Sequence, residues 1–258
     1  MYVGMDGTGV PVVARETEGR AGKGPDGRAR TREVKLGCVF TQTTLDDHGY
    51  PIRDPESSSY LAVIEGAKHF GELLKAEALR RGVERAKRVI VIGDGASWIW
   101  NLAEAQFPDA FHVVDLYHAR EHLHDLAKLV FPAAGEGRAK WARARIKELD
   151  AGDMDVLLRR LRASQPPACF QEDVDRAIGY FETNQDRMRY GDFRRRGLFV
   201  GSGVVEAGCK TIAHQRLKCS GMRWTVKGAE AILALRCREA SGRWDEFWTL
   251  PHAQTQIA

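Results

Sequence analysis

Two apolar runs in this 258-residue chain each end in Asp-Gly, and few folds accommodate such a pair: Tyr2-Val3-Gly4-Met5-Asp6-Gly7 and Val89-Ile90-Val91-Ile92-Gly93-Asp94-Gly95. An unbroken apolar run of this length reads as a strand covered on both faces, as in the middle of an α/β sheet. Ligand sites in such sheets lie at the carboxyl ends of the strands, so both aspartates are expected at the functional edge. An ionised carboxylate at the end of a buried strand is costly unless something offsets its charge, and a divalent cation does so. Each Asp-Gly also fits a plain turn. A third carboxylate is needed to decide.

Glu206 is the candidate. It follows Gly201-Ser202-Gly203, a helix start with Ser202 as N-cap, in a helix predicted from about 204 to 217. A carboxylate in a first turn is also favoured by the helix dipole alone. After Glu206, however, Lys210, His214, Arg216, Lys218, Arg223 and Lys227 follow with no acid until Glu230. A basic strip beside a lone carboxylate suits a site that holds metal and phosphodiester together.

Along the rest of the chain, glycines and basic residues between Arg15 and Arg32 read as a flexible connection, and Val34–Thr41 returns to strand composition. The stretch from Asp46 to Ser59 is loop-like, and apolar spacing predicts a helix from about Tyr60 to Arg81. A helix over 98–105 and a short strand over 111–115 follow. Ala119 to Arg162, apart from Pro132 to Gly137, is rich in Ala, Leu, Lys, Arg and Glu and reads as helical, and Gln171 to Arg189 continues the pattern. A break at Ser220-Gly221 precedes a last helix, about 226–240. The resulting division is a core made of 1–118 and 197–248, a helical insertion over 119–196 and a disordered tail over 249–258.

Secondary features bear on ligands. Arg187, Arg189, Tyr190, Phe193, Arg194, Arg195 and Arg196 interleave cations with rings, as a surface tracking a nucleic-acid backbone would, or as a solvated loop would. Arg223 and Trp224 could meet an unpaired base, with core packing the competing reading for Trp224. Asp115-Leu116-Tyr117-His118 stands at a strand-to-helix junction, where Asp115 is also a natural cap. His118 and His122 share a helix face, without the further ligands a zinc site needs.

Composition is that of an ordinary soluble enzyme: 43% hydrophobic, 29% charged, net charge +4. No apolar run is long enough to cross a bilayer, so no membrane partner is expected. Met1–Asp6 lacks the features of a secretory signal, and five cysteines without a Cys-x-x-Cys pair suit reduced thiols. A cytoplasmic, nucleoid-associated location is expected.

Strand-Asp, strand-Asp and late-helix-Glu, with helices inserted before the Glu, resemble the DDE transposases, which are built on a ribonuclease H-like fold. Four stretches resemble the bacterial Kra-type insertion-sequence transposases, relatives of the Mutator-like group. They are Tyr2-Val3-Gly4-Met5-Asp6-Gly7-Thr8-Gly9-Val10-Pro11, Gly22–Arg28, Arg32-Glu33-Val34-Lys35-Leu36-Gly37, and Gly201-Ser202-Gly203-Val204-Val205-Glu206. The resemblance runs from Met1 to about Trp248 and implies a mixed five-stranded sheet with Asp6 and Asp94 side by side on its first and fourth strands.

It further implies that Asp6, Asp94 and Glu206 are catalytic and hold two Mg²⁺ or Mn²⁺ ions, with Asp115 and His118 as a signature near the site. The reaction implied is cleavage of a phosphodiester at an element end, then strand transfer into target DNA. Arg187, Arg189, Arg194, Arg195, Arg196, Lys210, Arg216, Lys218, Arg223 and Trp224 are the expected contacts to double-stranded DNA, and work on two ends suits a homodimer. Transposases of this kind carry a DNA-recognition region ahead of the first catalytic strand; this sequence starts at that strand, and autonomous transposition is not expected of it. A ribonuclease H-like nuclease or resolvase, and a non-catalytic DNA-binding descendant of a transposase, are the alternatives.

Overall fold

The structure is a computed structural model and describes residues 1–22, 26–64 and 66–249, the side chains of Phe247 and Thr249 aside. Residues 23–25 of the glycine-rich motif and 250–258 of the expected tail lie outside the described residues. The strands are β1 (Tyr2–Pro11), β2 (Thr31–Phe40), β3 (Gln42–Leu45), β4 (Pro51–Arg53), β5 (Ser59–Val63), β6 (Ile90–Gly93) and β7 (Phe111–Val114). The helices are α1 (Ala67–Arg80), α2 (Ser97–Gln106), α3 (Leu116–Val130), α4 (Glu136–Ala151), α5 (Met154–Arg162), α6 (Gln171–Asn184), α7 (Tyr190–Arg195), α8 (Gly203–Gly208), α9 (Gln215–Leu217), α10 (Val226–Ala240) and α11 (Trp244–Thr249). A π-helical turn, Cys209–His214, joins α8 to α9.

Five strands form one mixed sheet in the order β5-β2-β1-β6-β7, and β3 and β4 make a separate hairpin. The β1–β2 and β2–β5 pairs are antiparallel, while β1–β6 and β6–β7 are parallel. This mixed five-stranded sheet flanked by helices agrees with the expected fold class and is consistent with a ribonuclease H-like arrangement. The apolar runs explain the order: all four residues of β6 are buried, as are Tyr2, Val3 and Met5 of β1, so both strands must lie inside the sheet. All described helices and strands between Leu116 and Arg195 are helices, and their buried Leu123, Leu126, Leu149, Leu157, Leu161 and Phe181 join the same continuous core.

Several segments differ from expectation. β1 does not end at Asp6-Gly7 but runs on to Pro11, paired with β2 throughout, so Asp6 lies in mid-strand. The expected loop from Asp46 to Ser59 contains β4, which pairs with β3. Tyr60–Val63 lies in strand β5, paired with β2, where a helix was predicted to begin; Leu61 and Ile64 fit a helical spacing, but a segment this short is decided by its pairing with β2 and its packing against α10. The helix expected over 204–217 is interrupted by the π-helical turn. Such turns widen the helix by one residue and shift the side chains that follow.

One close approach positions the late helix. A Cβ on Gly4 would stand 3.1 Å from Val205 Cβ, tighter than an ordinary contact, so the missing side chain lets α8 lie this near to β1 without a shift.

A carboxylate cleft on strands β1 and β6

Gly4 pairs with Ile92 in the parallel register of β1 and β6; carried two residues further, that register sets Asp6 opposite Asp94. Asp6 points to the face on which α8 packs, because residues two apart on a strand share a face and Gly4 contacts Val205. Asp6, Thr8, Glu206, Cys209, Lys210 and His214 line one cleft of about 550 Å³. The structure thus brings Asp6 together with Asp94 through the sheet, and with Glu206 across the cleft.

Burial pushes the Asp6 carboxyl above the usual carboxylate range, and the charge of Asp94 adds to the shift; a hydrogen bond from the Cys209 thiol, the Gly7 N–H at 2.6 Å and the charge of His118 oppose it. No ion pair offsets Asp6 among the described residues. Asp94 accepts a hydrogen bond from Ala96 N at 2.9 Å. Two adjacent carboxylates outside any ion pair fit a hard divalent cation, although the charges of His118 and Lys218 also act on Asp6. Glu206 as described does not complete the set: its Oε1 accepts a hydrogen bond from Ser202 Oγ at 2.7 Å. Among the described residues no three His, Cys, Asp or Glu side chains group closely enough to hold a metal ion.

Ser202 therefore does not cap α8 with its hydroxyl, as the sequence suggested. The role of holding the helix start falls to Asp115. Its side chain is buried and caps α3 by accepting from His118 N at 2.6 Å, while its other oxygen accepts from Ser202 N. Leu116 N donates to Val200 O at 2.9 Å beside it. One buried carboxylate thus ties the start of α3 to the segment that presents Glu206. The reading of Asp115 as a cap therefore holds, and the same carboxylate also reaches Ser202 N.

Tyr180 was not singled out from the sequence. From α6 its hydroxyl donates to the Asp94 carbonyl at 3.0 Å, and its ring packs against the turn that follows. Gly95 there has φ +97°, and a Cβ on it would lie 2.6 Å from the Tyr180 ring. His122 stacks on that ring at 3.9 Å, and His118 meets His122 edge-on at 4.9 Å. These contacts span most of the inserted helices, so nothing local in the sequence announces them.

Thr8, His214 and Lys218 make a second cluster beside Asp6. Lys218 Nζ lies 2.7 Å from Thr8 Oγ1 and 2.9 Å from His214 Nε2, and Thr8 Oγ1 lies 2.9 Å from His214 Nε2. Burial first, and then their mutual charge, lowers the His214 pKa; burial also lowers that of Lys218.

The expected DNA contacts are not one surface. Lys210 opens into the cleft. Arg187 lies over the Trp100 ring at 4.9 Å and pairs with Glu104 at 3.2 Å. Arg189 pairs with Asp186 at 2.6 Å, Arg194 donates to Asp150 O at 3.1 Å, and Arg195 and Arg196 both pair with Asp192 at 3.5 and 2.8 Å. Arg196 also borders a hollow with Met1, Tyr2 and Ile90, at the strand starts and away from Asp94. Tyr190 and Phe193 are buried, so the rings expected to stack on bases belong to the core instead. Trp224 bridges to Val12, donates its indole N–H to Leu217 O at 3.2 Å and is covered by Arg216 at 5.1 Å.

Residues 69–246, more than half of the chain, match the sequence profile of the Uncharacterised protein family (UPF0236). The chain is a UPF0236 protein. None of the curated proteins compared with it matches. Asp94 and Glu206 fall within the matched span of this UPF0236 protein, and Asp6 precedes it. Its five cysteines are all free thiols. Among its described residues no helix is long and apolar enough to cross a membrane.

Proposed function

We propose that this UPF0236 protein is the catalytic core of a DDE transposase of the Kra-type insertion-sequence kind, cleaving a phosphodiester at element ends and transferring the strand to target DNA. The observation that supports the reading is the parallel register of β1 and β6, which, continued two residues beyond Gly4 and Ile92, would set Asp6 beside Asp94, with Glu206 lining the same cleft as Asp6. Asp6 and Asp94 would hold Mg²⁺ or Mn²⁺, two ions in the full site, and Glu206 would join them on leaving Ser202. When bound, such ions supply an activated water and charge stabilisation for the oxygens of an in-line displacement.

The chain's own residues do the rest. Asp115 and Tyr180 hold the segments that carry Glu206 and Asp94. Lys218, His214 and Thr8 offer donors to a phosphate oxygen beside Asp6, and Lys210 adds charge at the cleft mouth. Catalysis then rests on positioning and electrostatics rather than on a covalent enzyme intermediate. Work on two ends suits a homodimer.

The hydrogen bond between Ser202 and Glu206 favours a second reading, a DNA-binding descendant without catalysis. A labelled element end incubated with the protein and Mg²⁺ or Mn²⁺ separates the two. Nicking and joining to a second duplex, lost in Asp94→Asn, supports the transposase. Nicking of branched DNA without joining points to a resolvase. Equal products from wild type and variant would remove the assignment.

A further inference from the structure

The connection between β1 and β2 carries its own cationic groove. Residues 15–32 read from the sequence as a flexible link, yet the described part holds local structure: Ala14–Glu16 form a 3₁₀ turn, and Ala21 bridges to Arg28. Val13 N donates to Trp224 O at 2.9 Å, and Trp224 N donates to Pro11 O at 3.1 Å, which fixes Arg223 against this loop. The groove between them measures about 960 Å³ and includes Arg15, Arg20, Arg28 and Arg223 in its walls.

These four guanidinium groups are exposed and have no acid partner among the described residues. Of the groove's other charged residues, Arg30 pairs with Asp26 at 3.3 Å, which leaves Glu18 as the one unpaired acid in its wall. Four free cations against one acid make a strong local positive field, and guanidinium is suited to phosphate oxygens.

Position adds to charge. At about 3.4 Å per residue, the end of β1 at Pro11 lies roughly 17 Å beyond Asp6, or about five base-pair steps of a duplex. Thr8, His214 and Lys218 stand between, so donors continue from the carboxylates to the loop along one strand direction.

We infer that the groove formed by Arg15, Arg20, Arg28 and Arg223 binds the phosphodiester backbone of duplex DNA flanking the bond to be cut. This rests on reading the chain as a DNA-processing enzyme, but backbone binding needs neither metal nor cleavage, so it is tested apart from them. The probe is a fluorescent duplex of about 20 base pairs, titrated in EDTA at several salt concentrations.

Arg15→Ala, Arg20→Ala, Arg28→Ala and Arg223→Ala combined should weaken binding at least about tenfold and lower the slope of log K against log salt by about 3 to 4, at about 0.9 per phosphate contact. Arg223→Ala alone should lower it by about 1. A combined variant with unchanged melting and an unchanged slope overturns the inference, as does wild-type protein that binds no duplex or binds only RNA of the same length. Loss of nicking with the salt slope intact in wild type would instead strike the catalytic reading and leave the groove standing.

Discussion

Arg187, Arg189, Arg194, Arg195 and Arg196 crowd one short stretch around α7, whereas Arg15, Arg20, Arg28 and Arg223 come from nearly opposite ends of the chain. By sequence the first group is the obvious basic patch. In the fold each of its members has an acid, a carbonyl or a ring to answer it, and the second group shares a groove with little to offset it. The carboxylates divide in the same way: Asp186 and Asp192 are matched by arginines, while Asp6 and Asp94 influence each other and neither forms an ion pair among the described residues. Charge left unanswered by the fold, rather than charge counted along the chain, is what remains for a ligand. Exposed ion pairs are weak, so Arg189 and Arg195 can still exchange a carboxylate for a phosphate, but at a smaller gain.

The comparison breaks most clearly at the carboxylates. Asp94→Asn should reduce metal-dependent nicking by on the order of 10³-fold or more, because a site of this kind supplies several kcal/mol through charge alone. Asp6→Asn should abolish nicking as well, yet raise the melting temperature in EDTA at pH 7. The sign follows from the raised pKa: the folded state holds the Asp6 proton more tightly than the unfolded chain, so stability falls as pH rises through the interval above the ordinary aspartate value. The gain from Asp6→Asn should therefore vanish as pH drops towards 4. Each 1 kcal/mol relieved moves the midpoint by about 2–4 °C in a chain of this size. A lower melting temperature for Asp6→Asn at pH 7 would show that the carboxylate is compensated after all.

Next in size is Lys218→Ala, which removes the amine linking Thr8 and His214 and should raise KM for DNA about tenfold with a smaller fall in kcat. Steady-state kinetics at fixed Mg²⁺ checks it; a change in kcat alone would deny it a binding role. Arg187→Ala sharpens the other side of the comparison. With its guanidinium on Trp100, it should cost about 1–2 kcal/mol in urea unfolding while duplex affinity in EDTA stays near wild type. Arg195→Ala, on an exposed pair 3.5 Å from Asp192, should move stability by no more than about 0.5 kcal/mol.

Much of this architecture was legible in the sequence because its signals are local. The runs into Asp6 and Asp94 announce central strands by their unbroken apolarity, and Gly201-Ser202-Gly203 announces a helix start. The helix α10 falls where its spacing put it. Tyr60–Val63 was harder, since a short apolar segment fits either period until its pairing with β2 is known.

The site was legible in its carboxylates but not in its supports. Tyr180 reaches Asp94 across 86 residues, and Asp115 reaches Ser202 across 87, distances at which no spacing rule operates. Cys209 had a faint signal, standing three residues after Glu206 and so on the same helix face. Of the arginines near α7, Arg187 and Arg194 have partners remote in the chain, Glu104 and Asp150, whereas Arg189, Arg195 and Arg196 pair with acids within one helical turn.

The central claim is that Asp6 and Asp94, with Glu206, trap divalent cations at the sheet edge. Mn²⁺ titration followed by electron paramagnetic resonance tests it without DNA or turnover. Wild-type protein should quench the free Mn²⁺ signal stoichiometrically, and Asp94→Asn should not. Equal quenching by both proteins, or none by either, would contradict the account.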